Sequence, residues 1–342
     1  MTHHAKILAG IAAAMVCGAC ASQQSSENPT AQSGANTQSS ERKLQKVTIA
    51  QFGHVFLYMP LYVAIDKGYF KDQGLDVNLS VSGGDEKTFT AVATGNAQFG
   101  VSDPLFTAIA REHGQSGKVV AAVVRGVPFW VITDKKEMKP ISKPEQFAGH
   151  KIATYTSPST SYAVMKKVLA NNGHPVDAKI VEGAFGTLPA LLRAGQVDMA
   201  LEIEPVVSIV LHNGGHIVYN PQKELGDFAF TGLEVSETFN KEHPDQVQGA
   251  VNALQKGMDF IHSDFAGAVA VAKKEFPDVE PSVVRQALQR LKDSNTVPKS
   301  VELPKAAWDK AVALRREIGD MKGNGDYDLN VDMSYADKAT KK

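Results

Sequence analysis

The sequence predicts an α/β protein of two lobes, each a parallel-rich sheet flanked by helices, with a chain that crosses between them twice. Two observations carry this expectation. Short β-branched segments alternate with helical stretches in two successive series, the pattern of parallel strands joined by helical crossovers. One arrangement also occurs in both series: a glycine ends a helix, a strand follows, and an acidic residue before proline opens the next helix. It is found at Gly95, Gln98 to Val101 and Asp103-Pro104, and again at Gly195, Val197 to Ile203 and Glu204-Pro205.

The elements follow in order. Val47 and Ile49 alternate with Thr48 as a first strand, and Pro60 opens a helix that stops at Gly68. Val77, Leu79 and Val81 alternate with Asn78 and Ser80 as a second strand. Gly83-Gly84-Asp85 then leads into a helix with Phe89, Val92 and Ala93 on one face. Phe99 to Val101 is a third strand, and Val119 to Val124 is a continuous apolar run suited to a sheet covered on both faces. Phe129 to Ile132 begins the second series, which continues through Lys151 to Thr154, Ile180-Val181, Val197 to Ile203 and Ile217 to Tyr219. Phe230 to Ser236 reads as a strand returning to the first sheet. From Pro244 the chain is helical: Val247, Val251, Leu254, Met258 and Ile261 form one stripe, and Pro281 and Pro304 start later helices.

The N-terminus has a different character. Lys6 precedes an apolar stretch from Ile7 to Val16 and the small residues Gly18 and Ala19, the pattern of a secretory signal over 1–20. Cys17-Gly18-Ala19-Cys20 resembles the bacterial lipobox, which implies lipidation at Cys20 and an anchor at the membrane. Cys17 stands where that motif usually has Leu, so ordinary cleavage and a soluble periplasmic protein form the alternative. Residues 21–45 are mostly Ser, Gln, Asn, Ala, Thr and Gly, too poor in apolar surface to order themselves, and read as a tether. Both cysteines of the chain lie within the signal, so the body has no internal disulfide and no thiol nucleophile. A net charge of -1 over 342 residues gives no sign of a nucleic-acid partner.

Several motifs together resemble one family. These are Pro60-Leu61-Tyr62-Val63-Ala64-Ile65-Asp66-Lys67-Gly68-Tyr69-Phe70, Gly74-Leu75-Asp76-Val77, Gly83-Gly84-Asp85, Gly100-Val101-Ser102-Asp103-Pro104, Ala194-Gly195-Gln196-Val197-Asp198 with Glu204-Pro205, and Phe230-Thr231-Gly232-Leu233. They resemble the nitrate, sulfonate, taurine and thiamine-pyrimidine (THI5-like, NMT1-like) substrate-binding proteins of ABC transporters over about Val47 to Phe276. The resemblance implies a type II periplasmic binding protein fold, with one lobe from 46–128 and 229–335, the other from 129–228, and a double-crossing hinge. It implies a small-molecule solute held between the lobes, an ABC permease and its ATPase as partners, and a monomer in the periplasm or at the cell surface.

By the matching loops, the resemblance implies cleft liners at Gln51, His54 and Tyr58, at Gly84 and Asp85, and at Ser102 and Asp103. The second lobe contributes Ser157, Ser159, Thr160, Phe185 and Glu204, and Thr231 sits at the return crossing. Position supports this, because ligands of open α/β sheets bind beyond the carboxyl ends of the strands. The bland alternative is that the Ser, Thr and acidic residues merely cap helices, that Tyr58 and Phe185 are core aromatics, and that His54 is a loop bystander.

No catalytic or metal site is expected, and no cofactor. His212 and His216 have a helical interval, but Asn213-Gly214-Gly215 breaks the helix that would align them. Two alternatives belong to other classes. A THI5-like pyrimidine-synthesis enzyme lacks its cysteine-rich motif here, and a ligand-sensing module lacks a fused DNA-reading domain. For the solute, aromatic walls with carboxylate acceptors suit a heteroaromatic such as a thiamine pyrimidine precursor. A sulfonate, nitrate or related small anion would need cationic or N–H donor groups; helix starts at Gly84 and Ser159 could supply N–H, but Arg125 is the only Arg near the expected cleft.

Overall fold

A computed structural model of the chain describes residues 43–341. The signal segment, most of the tether and Cys20 lie outside the described residues.

Among the described residues ten strands form two five-stranded sheets. In chain order they are β1 (Gln45–Gln51), β2 (Leu75–Val81), β3 (Phe99–Ser102), β4 (Gly117–Arg125), β5 (Trp130–Thr133), β6 (Lys151–Tyr155), β7 (Lys179–Gly183), β8 (Met199–Glu202), β9 (His216–Tyr219) and β10 (Ala229–Ser236). The first sheet has the order β2-β1-β3-β10-β4 and the second β7-β6-β8-β5-β9. These are one plan used twice. In each sheet the strand that arrives from the other lobe, β10 or β5, occupies the fourth place.

Both arriving strands run antiparallel to their neighbours, β10 to β3 and β4, and β5 to β8 and β9. These two strands are the antiparallel members of the parallel-rich sheets, and the reason is geometric. The carboxyl ends of the other strands face the gap between the lobes, so a chain crossing that gap enters the sheet at those ends and must run the opposite way. Accordingly Trp130, the first residue of β5, pairs with Glu202, the last of β8, and Ala229 pairs with Arg125 at the end of β4. The return crossing is thus complete before Thr231, which lies inside β10 opposite Val124. Gly126 (φ 78°) and Gly226 (φ 63°) supply the left-handed turns of the two crossings.

The apolar run Val119 to Val124 is buried throughout, as expected of a sheet covered on both faces. One cover is the helix Pro244–Ser263, whose predicted stripe of Val247, Val251, Leu254, Met258 and Ile261 is fully buried. It packs on the helix Met59–Asp66, and Gly257 permits the approach: a Cβ there would lie 2.2 Å from the Pro60 carbonyl oxygen. Two later helices reach both lobes. Pro281–Asp293 packs on the Phe56–Tyr58 turn and on the second-lobe helix Val206–His212, while Lys305–Glu317 packs on β10 and on the second-lobe helix Thr160–Ala170. Among the described residues no helix is long and apolar enough to cross a membrane.

Candidate functional site

The ends of β1, β6 and β8, the start of β10 and the first turns of two helices converge on a chamber between the lobes. Its lining includes Phe52, Tyr58, Asp85, Phe129, Tyr155, Thr160, Phe230 and Thr231, around about 30 Å³ of free space. A wider mouth of about 310 Å³ adjoins it, sharing Phe52, Asp85, Tyr155 and Ser159 and adding Gly84, Ser157 and Phe185. The chamber alone has room for one or two water-sized groups.

Aromatic rings form its walls. Phe52 and Tyr155 have centroids 6.0 Å apart, and Phe129 stands edge-on to both Tyr155 (6.4 Å) and Phe230 (5.3 Å). Phe185 closes the mouth edge-on to Phe52 at 5.0 Å, against Gly53, where a Cβ would fall 2.9 Å from the Phe185 ring. Edge-to-face contacts of this kind hold rings in a fixed arrangement. The Tyr155 hydroxyl donates to Glu202 Oε2 at 2.6 Å, directing that polar tip away from solvent.

Asp85 is the sole charged residue in the chamber lining among the described residues. It opens the helix Asp85–Ala93, and its Oδ1 accepts from the Asp103 amide at 3.0 Å, while Oδ2 has no hydrogen-bond partner among the described residues. Burial, and then the neighbouring Asp103, push its carboxyl up to about 7. Burial also pushes Glu202 up to about 7 and Glu234 well above the usual carboxylate range. Each of these two glutamates keeps one buried oxygen unpartnered, Oε1 in both cases, as suits a protonated acid.

The expected liners divide into three groups. Tyr58, Asp85, Ser159, Thr160 and Thr231 face the chamber, and Gly84, Ser157 and Phe185 line its mouth. Asp103 is buried at the lobe interface, where its Oδ2 accepts from Thr160 (2.5 Å) and Arg315 (2.6 Å). Four others lie outside the lining of the chamber and its mouth, each engaged elsewhere. Gln51 accepts from the Tyr62 hydroxyl at 3.0 Å, and Ser102 donates to Glu234 at 2.9 Å. His54 stacks between Tyr62 and Phe276, with Nε2 3.2 Å from the Glu275 carbonyl oxygen. Glu204 accepts from Ser208 at both its amide and hydroxyl and pairs with Arg290 at 2.7 Å. Arg125 is also engaged, in an ion pair with Asp227. The sequence reading missed Phe52, Phe129, Tyr155, Phe230 and Glu202; the signal available was their place at strand ends facing the gap.

Residues 56–268 match the family model described as NMT1/THI5 like. The chain belongs to the NMT1/THI5-like family. Over 308 residues it is 23 % identical to the Bacillus subtilis (strain 168) protein YtlA, which is named as a binding protein; the match covers 88 % of this chain and 91 % of YtlA. A solved structure from Bordetella bronchiseptica RB50 shares 24 % identity at a TM-score of 0.73, covering 86 % of this chain and 96 % of that one. The alkanesulfonate-binding protein SsuA from Xanthomonas axonopodis pv. citri, bound to MOPS, shares 17 % identity at a TM-score of 0.61, covering 72 % of this chain and 83 % of SsuA. This NMT1/THI5-like chain therefore has the two-lobed α/β architecture of periplasmic binding proteins.

Proposed function

We propose that the chain is the extracytoplasmic solute-binding component of an ABC importer, with lobes over 46–128 plus 229–335 and over 129–228. It would capture a compact heteroaromatic bearing N–H donors, with an aminopyrimidine of the thiamine type as the model, and hand it unchanged to a permease and its ATPase. One observation carries the choice of solute: an aromatic chamber whose single charged group is Asp85, with one carboxylate oxygen unpartnered. A ring in the wider mouth stacks on Phe52, Tyr155 and Phe185, and its amine reaches Asp85 to satisfy that oxygen. A sulfonate or nitrate would instead place a second anion beside Asp85 in a chamber whose described lining holds no cation, with Lys87 at the mouth only, a costly burial. Of the N–H groups that open the helix Thr160–Ala170, the Tyr162 amide is already taken by Ser159 Oγ.

A thermal-shift series decides the matter. A true ligand at about 100 times its Kd adds about 2.7 kcal/mol to the folded state. Aminopyrimidines should raise the melting temperature and aliphatic sulfonates and nitrate should not; the reverse ranking would overturn the choice of solute. Turnover of the bound pyrimidine would favour the pyrimidine-synthesis enzyme instead. Anchoring at Cys20 belongs to the same reading, and uptake of a labelled fatty acid by the mature protein tests it.

A further inference from the structure

The two acid-proline pairs of the sequence have matching partners in the C-terminal helices. Arg315, on the helix Lys305–Glu317, holds Asp103, and Arg290, on the helix Pro281–Asp293, holds Glu204. Arg315 also spans the lobes. Its Nη2 donates to Asp103 in the first lobe at 2.6 Å and to Thr160 in the second at 3.3 Å. Its Nη1 donates to the Pro158 carbonyl of the second lobe at 2.8 Å and to Asp320 at 2.8 Å. The side chain is 1 % exposed and lies over the Phe106 ring. Beside it, Lys166 Nζ donates to the Ile318 carbonyl at 3.0 Å and Lys167 pairs with Glu317 at 2.7 Å, fastening the same helix end to the second lobe.

We propose that the helices Pro281–Asp293 and Lys305–Glu317 form a clasp that keeps the cleft shut before any solute arrives, with Arg315 as the positioning residue. Every interlobe contact described joins two groups of the chain itself. Among the described residues Thr160 is the one chamber-lining group to which Arg315 hydrogen-bonds, and Arg315 acts through it and Asp103. Opening the lobes separates Arg315 from Pro158 and Thr160, and removes the shared Thr160–Asp103 bond. A solute can enter only when the clasp opens, so the clasp slows entry, while the same contacts are made again in the closed state that surrounds the solute. All solutes wait on the same opening, so Arg315 sets the rate of entry without setting selectivity.

The test uses solute-free protein and is independent of what the solute is. Small-angle scattering would compare wild type with Arg315→Lys, which keeps the charge but loses the planar fork needed to span both lobes. The expected results are a compact wild type and a larger radius of gyration in Arg315→Lys, with faster amide exchange at Thr160 and Ser161. Should that variant not fold, Thr160→Ala decides, since it removes two interlobe bonds while leaving Asp103 and Arg315 paired; it should also expand the protein. A wild type that is already open, or folded variants as compact as wild type even if their melting temperature falls, would overturn the clasp.

Discussion

Under the proposed function, the Asp85 carboxyl would link recognition to proton concentration. Its pKa near 7 means that below neutrality the group is protonated and offers a donor where an amine needs an acceptor. For a solute that does not itself titrate, affinity should fall by up to tenfold per pH unit below 7 and level off above it. Titration calorimetry across pH 5–8 would show this slope, and Asp85→Asn should abolish it while weakening binding at pH 8. The unliganded protein responds with a defined sign as well. A folded-state value above the unfolded one, about 3.9, means extra proton binding by the native state, so stability falls as pH rises from about 4 to 7. Asp85→Asn removes that share of the slope and leaves the shares of Glu202 and Glu234. Asp85, Thr160 and Thr231 were legible in the sequence because a polar side chain at a strand or helix end on the gap side either caps the element or meets a solute. Phe52, Phe129, Tyr155 and Phe230 were not, since an aromatic beside a strand reads the same whether it faces a core or a cleft. Gln51 and Ser102 misled for the opposite reason: their polar atoms are satisfied one layer beneath the chamber.

Among elements, the contact between the helices Met59–Asp66 and Pro244–Ser263 is set by one missing side chain. Gly257→Ala would gain about 1 kcal/mol of helix propensity, yet its Cβ would meet the Pro60 carbonyl at 2.2 Å. Backbone cannot step aside as a side chain can, and overpacking of this kind costs about 1–3 kcal/mol, so the variant should be less stable. Urea denaturation should show a lower midpoint at an unchanged slope. That helix was readable in advance because its apolar positions follow a helical period with no competing pattern. Strand direction in β5 and β10 was not readable, because alternation reports which face a residue occupies and says nothing about which way the chain enters the sheet. The span of the C-terminal helices across both lobes was equally hidden, as it depends on Arg290 and Arg315 finding partners far away in sequence.

For the whole molecule, the places of β5 and β10 differ in when they become available. All five strands of the second sheet lie in one stretch from Trp130 to Tyr219, whereas β3 and β4 of the first have no direct pairing and are joined through β10. The bond from Ser102 to Glu234 spans 132 residues, and loops of that length close slowly. The inserted lobe should therefore become protected first during refolding, with β4 waiting for the return strand; pulsed hydrogen exchange that protects β4 before β6 and β8 would contradict this. Export through a secretion channel, which the proposed function implies, would impose the same order in space. The leading lobe could not be finished until residue 236 had emerged, and for most of the passage it would be a half-built sheet with an open seam for a chaperone to hold.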